Sequence, residues 1–212
     1  MAIYLDSAII SEAEEVCQWG WVSGITTNPT LLAKSDLAPD VTLQKLKGLT
    51  SGEVYYQLTS SDFDTMITEG KAAFALLGSQ TVLKIPATPI GFQVVACLSR
   101  EIFCSVTAIY HPSQAIIAAE SGAKYAIAYV NRATRLLGDG YALVRDMANV
   151  LKGSNTEILA ASIKSRDEAV STILAGAHHL TLPLSILKSM TMDELSDQTF
   201  VEFNQNGKGL LG

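Results

Sequence analysis

The stretch Thr81-Val82-Leu83-Lys84-Ile85-Pro86 is an apolar run interrupted by one lysine. A strand that is apolar on both faces belongs to a parallel sheet covered by helices. Seven further short runs lie on either side of it: Ile3–Leu5, Val22–Ile25, Val54–Leu58, Ile102–Val106, Lys124–Val130, Glu157–Ala161 and Leu180–Leu182. Segments with helical spacing separate them, such as Phe63–Leu77, Pro112–Ser121, Ala142–Leu151 and Arg166–Ala175. Eight strands, each followed by a helix, recur at a mean spacing of about 25 residues. This pattern predicts the α/β class and a compact (β/α)8 TIM barrel, shorter than the usual ~250 residues. A doubly wound open sheet is the competing architecture.

Local signals support this division. Asp62 or Asp64 can open the helix after the third strand, Ser165 the helix after the seventh, and His111-Pro112 reads as another helix start. Gly78, Gly122 and Gly176 fall where helices end. The longest uncharged run, Ala169 to Leu187, contains His178, His179 and Pro183. It reads as helix end, strand and turn, not as a membrane span. Residues 192–206 form one extra C-terminal helix, and the tail Asn206-Gly-Lys-Gly-Leu-Leu-Gly is expected to be mobile. A single domain, 1–212, follows from the length and the absence of any linker.

Composition narrows the function. Of the 212 residues 48% are hydrophobic and 17% charged, so a large core forms without disulfides or metals. The formal net charge of −6 disfavours a nucleic-acid groove. Any phosphate must therefore be held by a local group of donors against the overall field. Cys17, Cys97 and Cys104 are odd in number and show no metal or redox spacing, as expected of reduced thiols in a cytoplasmic protein. Met1 leads directly into a strand, with no signal peptide pattern. The three histidines have no ligand spacing, and neither a nucleophile elbow nor a glycine-rich phosphate loop occurs.

The C-terminal ends of the strands carry the chemistry. They hold Asp6, then Thr26, Thr27 and Asn28, then Gln57, Lys84 and Thr107, then Tyr129, Asn131 and Arg132, and Ser162. In a barrel these ends converge on one mouth, where active sites of this fold sit. Period-two alternation puts Lys84 on the face of Val82, the barrel interior. Desolvation there frees the amine as a nucleophile for Schiff-base formation with a carbonyl. Snorkelling from the strand end, or pairing with a carboxylate, is the plainer role. Asp6 is either an acid/base near that amine or the N-cap of a helix including Glu12 to Trp19. Thr26 and Asn28 can bind sugar hydroxyls, or simply cap.

These residues also resemble a known family. Leu5-Asp6-Ser7, Gly24-Ile25-Thr26-Thr27-Asn28-Pro29, Val82-Leu83-Lys84-Ile85-Pro86, Tyr129-Val130-Asn131-Arg132 and Ala160-Ala161-Ser162 occur in the family's order. The chain resembles the small-subunit branch of the transaldolase family, the branch that contains fructose-6-phosphate aldolase, from about Ile3 to about Phe203. The resemblance implies that Lys84 forms the imine and that Asp6 is the acid/base for carbon–carbon cleavage. It implies that Gln57, Thr107 and Tyr129 hold a proton-shuttling water, that Asn28 binds donor hydroxyls, and that Arg132 with Ser162 binds the sugar phosphate. It implies no metal and no organic cofactor. Its partners would be small sugar phosphates and copies of itself in a homo-oligomer, often a decamer, with the terminal helix reaching a neighbour; neither nucleic acid nor membrane is expected.

Two branches of that resemblance differ. Transaldolases have Glu where this chain has Gln57, and Phe where it has Tyr129; the aldolase branch has Gln and Tyr. A phenol helps protonate the enamine, so the chain is expected to cleave fructose 6-phosphate to dihydroxyacetone and glyceraldehyde 3-phosphate, with transaldolase transfer as the alternative. Two departures stand out. Ile127 replaces a small residue and is expected to crowd the donor's terminal hydroxymethyl group. Ala133-Thr134-Arg135 lacks the acidic residue expected after Arg132.

Overall fold

Each predicted apolar run forms a strand in the computed structural model, which describes residues 1–210. The strands are β1 (Ile3–Asp6), β2 (Gly24–Thr26), β3 (Glu53–Gln57), β4 (Thr81–Pro86), β5 (Phe103–Ile109), β6 (Tyr125–Tyr129), β7 (Glu157–Ala161) and β8 (His179–Leu182). All neighbouring pairs are parallel, and β8 pairs back to β1, closing the barrel. The helices are α1 (Ile10–Cys17), α2 (Pro29–Leu32), α3 (Pro39–Leu49), α4 (Phe63–Leu77), α5 (Pro89–Leu98) and α6 (Pro112–Glu120). They continue with α7 (Val130–Leu137), α8 (Gly140–Val150), α9 (Arg166–Leu174), α10 (Leu184–Met190) and α11 (Glu194–Asn206). Of the tail expected to be mobile, residues 211 and 212 lie outside the described residues.

Strand alternation sorts the apolar side chains into two cores. Outward residues such as Leu5, Leu83, Ile85 and Ile158 pack with helix residues including Val94 and Leu98. Inward residues Tyr4, Tyr55, Val82, Tyr125, Ile127 and Leu159 pack against one another inside the barrel. The interior is thus filled by side chains, as the fold requires. Its N-terminal end is closed by a polar knot. Glu53 Oε2 accepts the hydroxyls of Tyr4 at 2.8 Å, Tyr55 at 2.9 Å and Tyr125 at 3.1 Å. Lys124 Nζ reaches Glu53 Oε1 at 2.7 Å.

The helix signals find their partners. Asp62 accepts from Thr65 N and Ser165 from Glu168 N, each at 3.0 Å. His111 caps α6 in a capping box with Gln114. Gly78, Gly122 and Gly176 have φ of 66°, 85° and 113°, the left-handed region open to glycine.

Most boundaries shift by a residue or two from expectation, and four of the differences bear on the site or have a visible cause. β2 starts at Gly24, where a Cβ would collide with the Glu53 backbone of β3. β5 continues to Ile109 through a bulge: Ala108 has φ of 61°, and the pairing with β6 shifts between Val106 and Ile109. A bulge re-aims the residues around it. α11 starts at Glu194 because Asp193 caps it, accepting from Leu195 N and Ser196 N. α1 runs Ile10–Cys17 with Ile9 at its N-cap and no side-chain cap, so Asp6 is free of the capping role. Among the described residues, no helix is long and apolar enough to cross a membrane.

Candidate active site

Because all eight strands run in one direction, their C-terminal ends share one rim. A cavity of about 400 Å³ opens there, lined by Asp6, Asn28, Gln57, Lys84, Tyr129 and Arg132, with Ser162 and Lys164 on the same wall. Barrel closure gathers these residues from β1, β3, β4 and β6, from the loops after β2 and β7, and from the first turn of α7.

Lys84 is the least expected residue to be buried, at 2% exposure. Its rigid setting comes from β4, which pairs with β3 and β5 along its length; Lys84 registers with Gln57 on one side and Ser105 on the other. Gly91 lets α5 close against this strand, since a Cβ there would strike the Pro86 carbonyl. Lys84 Nζ donates to the Thr27 carbonyl at 2.8 Å. That carbonyl is fixed in turn, because Thr27 Oγ1 donates to Tyr55 O at 2.7 Å. Burial pulls the Lys84 pKa below 10.5, and the Asp6 carboxylate opposes the shift in part. A buried lysine with no salt-bridge partner among the described residues is therefore neither snorkelling nor paired, and its amine is the available nucleophile.

Asp6 Oδ1 accepts the Thr26 hydroxyl at 2.8 Å. Thr26 itself is fully buried and does not line the cavity. Expected to touch substrate hydroxyls, it instead holds the carboxylate, because β2 turns its side chain inward beneath the rim. Asn28 does line the cavity, and it also caps α2: Oδ1 accepts from Leu31 N at 2.9 Å. The capping expectation is met, and the cap occupies the side-chain oxygen of a residue that also lines the cavity.

Gln57 and Tyr129 both line the cavity, and Thr107 joins them through the Tyr129 hydroxyl. Thr107 Oγ1 donates to Tyr129 OH at 3.1 Å. The bulge in β5 is what lets Thr107 face inward while Ile109 packs outward. Gln57 Oε1 is buried without a hydrogen-bond partner among the described residues. A buried acceptor of this kind calls for a donor. Burial raises the Tyr129 pKa above 10, with the Thr107 hydrogen bond opposing part of the shift, so the phenol stays protonated.

Arg132 stands over the Tyr129 ring, 5.3 Å from its centroid. Ser162 sits on the same side, with φ of 61°, a strained conformation for a non-glycine residue. Its carbonyl accepts from Asn131 N at 3.0 Å. Glu168 ties the same region together, taking Asn131 Nδ2 at 3.2 Å and Lys164 N at 2.6 Å. Glu168, from α9, thus ties the first turn of α7, next to Arg132, to the loop after β7. Lys164 was not anticipated: a lysine in a polar loop gives no periodic signal. Ile127 lies below the cavity in the interior core, at 1% exposure, and does not line it. Among the described residues no group of three His, Cys, Asp or Glu side chains is placed to hold a metal.

The sequence pattern of the transaldolase/fructose-6-phosphate aldolase family matches residues 3–208. A relative from Symbiobacterium thermophilum, named a probable transaldolase, is 32% identical over 215 residues, covering 100% of this chain and 99% of its own. One from Roseiflexus castenholzii with the same name is 36% identical over 201 residues, covering 93% and 92%. Among solved structures, a mandelate oxidase variant superposes with a TM-score of 0.63 at 14% identity, covering 86% of this chain and 64% of that one. A flavocytochrome b2 variant gives 0.60 at 11% identity, covering 87% and 56%. At such low identity these two likenesses show the barrel fold alone.

Proposed function

The chain belongs to the transaldolase/fructose-6-phosphate aldolase family, and from that premise we propose that it is a lysine Schiff-base aldolase acting on fructose 6-phosphate. The observation that carries this reading is Lys84: a buried amine of lowered pKa at the rim of the cavity, beside Asp6. Neutral Lys84 attacks the ketose carbonyl, and loss of water gives an iminium ion. The hydrogen bond to Thr27 O holds one N–H away from the substrate and so aims the lone pair. Asp6 then takes the proton of the hydroxyl on the fourth carbon. The electrons of that O–H bond form the new carbonyl, and those of the bond between the third and fourth carbons enter the iminium. Glyceraldehyde 3-phosphate leaves, and an enamine remains on Lys84.

Water held by Gln57, Thr107 and Tyr129 protonates the enamine, and hydrolysis releases dihydroxyacetone. The unpartnered Gln57 Oε1 and the protonated phenol of Tyr129 support this arrangement. Arg132, Lys164 and Ser162 form a local cationic wall in a chain of net charge −6, which suits a phosphate. The second reading is transaldolase, in which an aldose phosphate takes the three-carbon unit before the enamine is protonated; the relatives named probable transaldolase favour it. A product assay separates the two. The parent, given fructose 6-phosphate alone, should release free dihydroxyacetone; Tyr129→Phe should release less while transfer to erythrose 4-phosphate holds or rises. A parent that yields only transfer product is a transaldolase.

A homo-oligomer is part of the proposal. α11 buries none of its residues on the barrel and leaves Leu195, Phe200, Val201 and Phe203 exposed, as a helix docked on a second copy would.

A further inference from the structure

β8 contributes nothing to the cavity wall, yet one of its residues is linked to the site through two hydroxyls. Thr181 Oγ1 lies 2.6 Å from Thr26 Oγ1, and Thr26 Oγ1 lies 2.8 Å from Asp6 Oδ1. Both threonines are buried, at 1% and 0% exposure. A hydroxyl has one proton to give, and a carboxylate has none. The single proton of Thr26 therefore goes to Asp6, and the proton shared with Thr181 must come from Thr181. Counting protons fixes the direction of the chain: Thr181 donates to Thr26, which donates to Asp6 Oδ1. No hydrogen bond to Asp6 Oδ2 forms among the described residues.

We infer that Thr181 is a positioning residue, which locks the Thr26 hydroxyl onto Oδ1 of Asp6 and leaves Oδ2 to take the substrate proton. This rests on the Schiff-base reading above and deepens it. The three residues come from three adjacent strands, with β1 between β2 and β8. Asp6 registers with Thr26, and Thr181 registers with Tyr4, two residues before Asp6. The device is thus carried by the sheet and not by a loop, which is what sub-ångström placement of a base requires. Packing alone does not account for it. A valine would fill the same volume without a polar atom, and two buried hydroxyls are tolerable only because each is bonded.

The lock has a chemical consequence. Thr26 cannot turn its proton away from Asp6 while Thr181 donates to its lone pair. Oδ1 therefore stays an acceptor through the cycle, and the proton taken during cleavage rests on Oδ2, facing the cavity. In the reverse, bond-forming direction the same oxygen returns it to the nascent alkoxide.

The test is a double-mutant cycle on Thr181→Val and Thr26→Val, with Thr181→Ser as rescue. Each variant is assayed for steady-state cleavage of fructose 6-phosphate and for borohydride trapping of the imine on Lys84. Thr181→Val should trap imine as the parent does, keep KM, and lose about 10-fold in kcat. Thr181→Ser should restore kcat, because the donor returns. The double variant should be no slower than Thr26→Val alone, because Thr181 acts only through Thr26. Parent-like kcat in Thr181→Val, failure of serine to rescue, or additive losses would each overturn the inference. Should valine misfold, Thr181→Ala is compared with Thr181→Ser under the same readouts. A parent that traps no adduct on Lys84 overturns the Schiff-base reading itself, and this inference with it.

Discussion

At the residue scale, Lys84 sets reactivity against stability. Its pKa is lowered mainly by burial, so between that value and 10.5 the unfolded chain binds a proton that the folded chain does not. Stability therefore rises as pH climbs through this interval. Lys84→Met removes the ionisable group: thermal unfolding should show a higher midpoint at neutral pH and a flatter pH dependence, with turnover abolished. A lower midpoint would mean that the bond to Thr27 O outweighs the desolvation. The cationic wall is tested separately. Arg132→Ala and Lys164→Ala should each raise KM for the phosphorylated ketose by about 10-fold and leave reaction with dihydroxyacetone nearly unchanged. Equal effects on both substrates would remove those residues from the phosphate site.

Some of these residues were legible in the sequence and some were not, for physical reasons. Lys84 stood out because a charge inside a two-faced apolar strand has a cost that demands a use. Asp6, Gln57 and Tyr129 followed from their places at strand ends. Thr26 was assigned to the right site and the wrong layer: alternation says which face a residue takes, not how far below the rim it lies. Thr27 acts through its carbonyl, and backbone atoms leave no signature in residue identity. Lys164 and Glu168 sit in a loop and on a helix among other polar residues, where only three-dimensional closure gives them partners. Thr181 shares a strand with no rim residue, so nothing along the chain connects it to Asp6.

At the scale of elements, the eight strands were readable because each carries its own apolar run, but their ends were set by neighbours. Gly24 opens β2 because β3 approaches too closely for a side chain. The bulge that extends β5 has no sequence signal, since Ala108 is not a residue type that favours φ of 61°. The knot on Glu53 joins β1, β3 and β6 at the end opposite the site. Burial is the main reason its phenols resist ionisation: Tyr4 is pushed up to about 12, and Tyr55 and Tyr125 are raised as well. Their folded pKa values lie above the usual 10, so their stabilisation is intact below that pH and lost as pH rises from it toward about 12. The tyrosinate absorbance of these three phenols, isolated by difference against their Tyr→Phe variants, should therefore appear together with loss of circular dichroism, not before it. Glu53→Gln should cost about 3 kcal/mol in denaturant unfolding, because it weakens several charge-assisted bonds at once. Independent titration of the phenols near their usual pKa in a folded protein would contradict this role.

At the scale of the whole molecule, the barrel divides its labour along its axis. The N-terminal end holds the knot, the middle is filled by Val82, Ile127 and Leu159, and the C-terminal end carries the chemistry. Ile127 belongs to the middle, below the cavity and not on its wall. α11 stands outside this plan, with Leu195, Phe200 and Phe203 exposed, and the proposed homo-oligomer would cover them. Deleting residues 193–212 should leave the barrel folded while sedimentation velocity shows a smaller assembly; an unchanged mass would remove α11 from the interface. The central claim is the covalent bond to Lys84, and trapping tests it most directly. Borohydride reduction in the presence of fructose 6-phosphate, followed by peptide mass analysis, should place a three-carbon adduct on the peptide containing Lys84. An adduct on a different lysine, or none in a protein that turns over the sugar, would contradict the account.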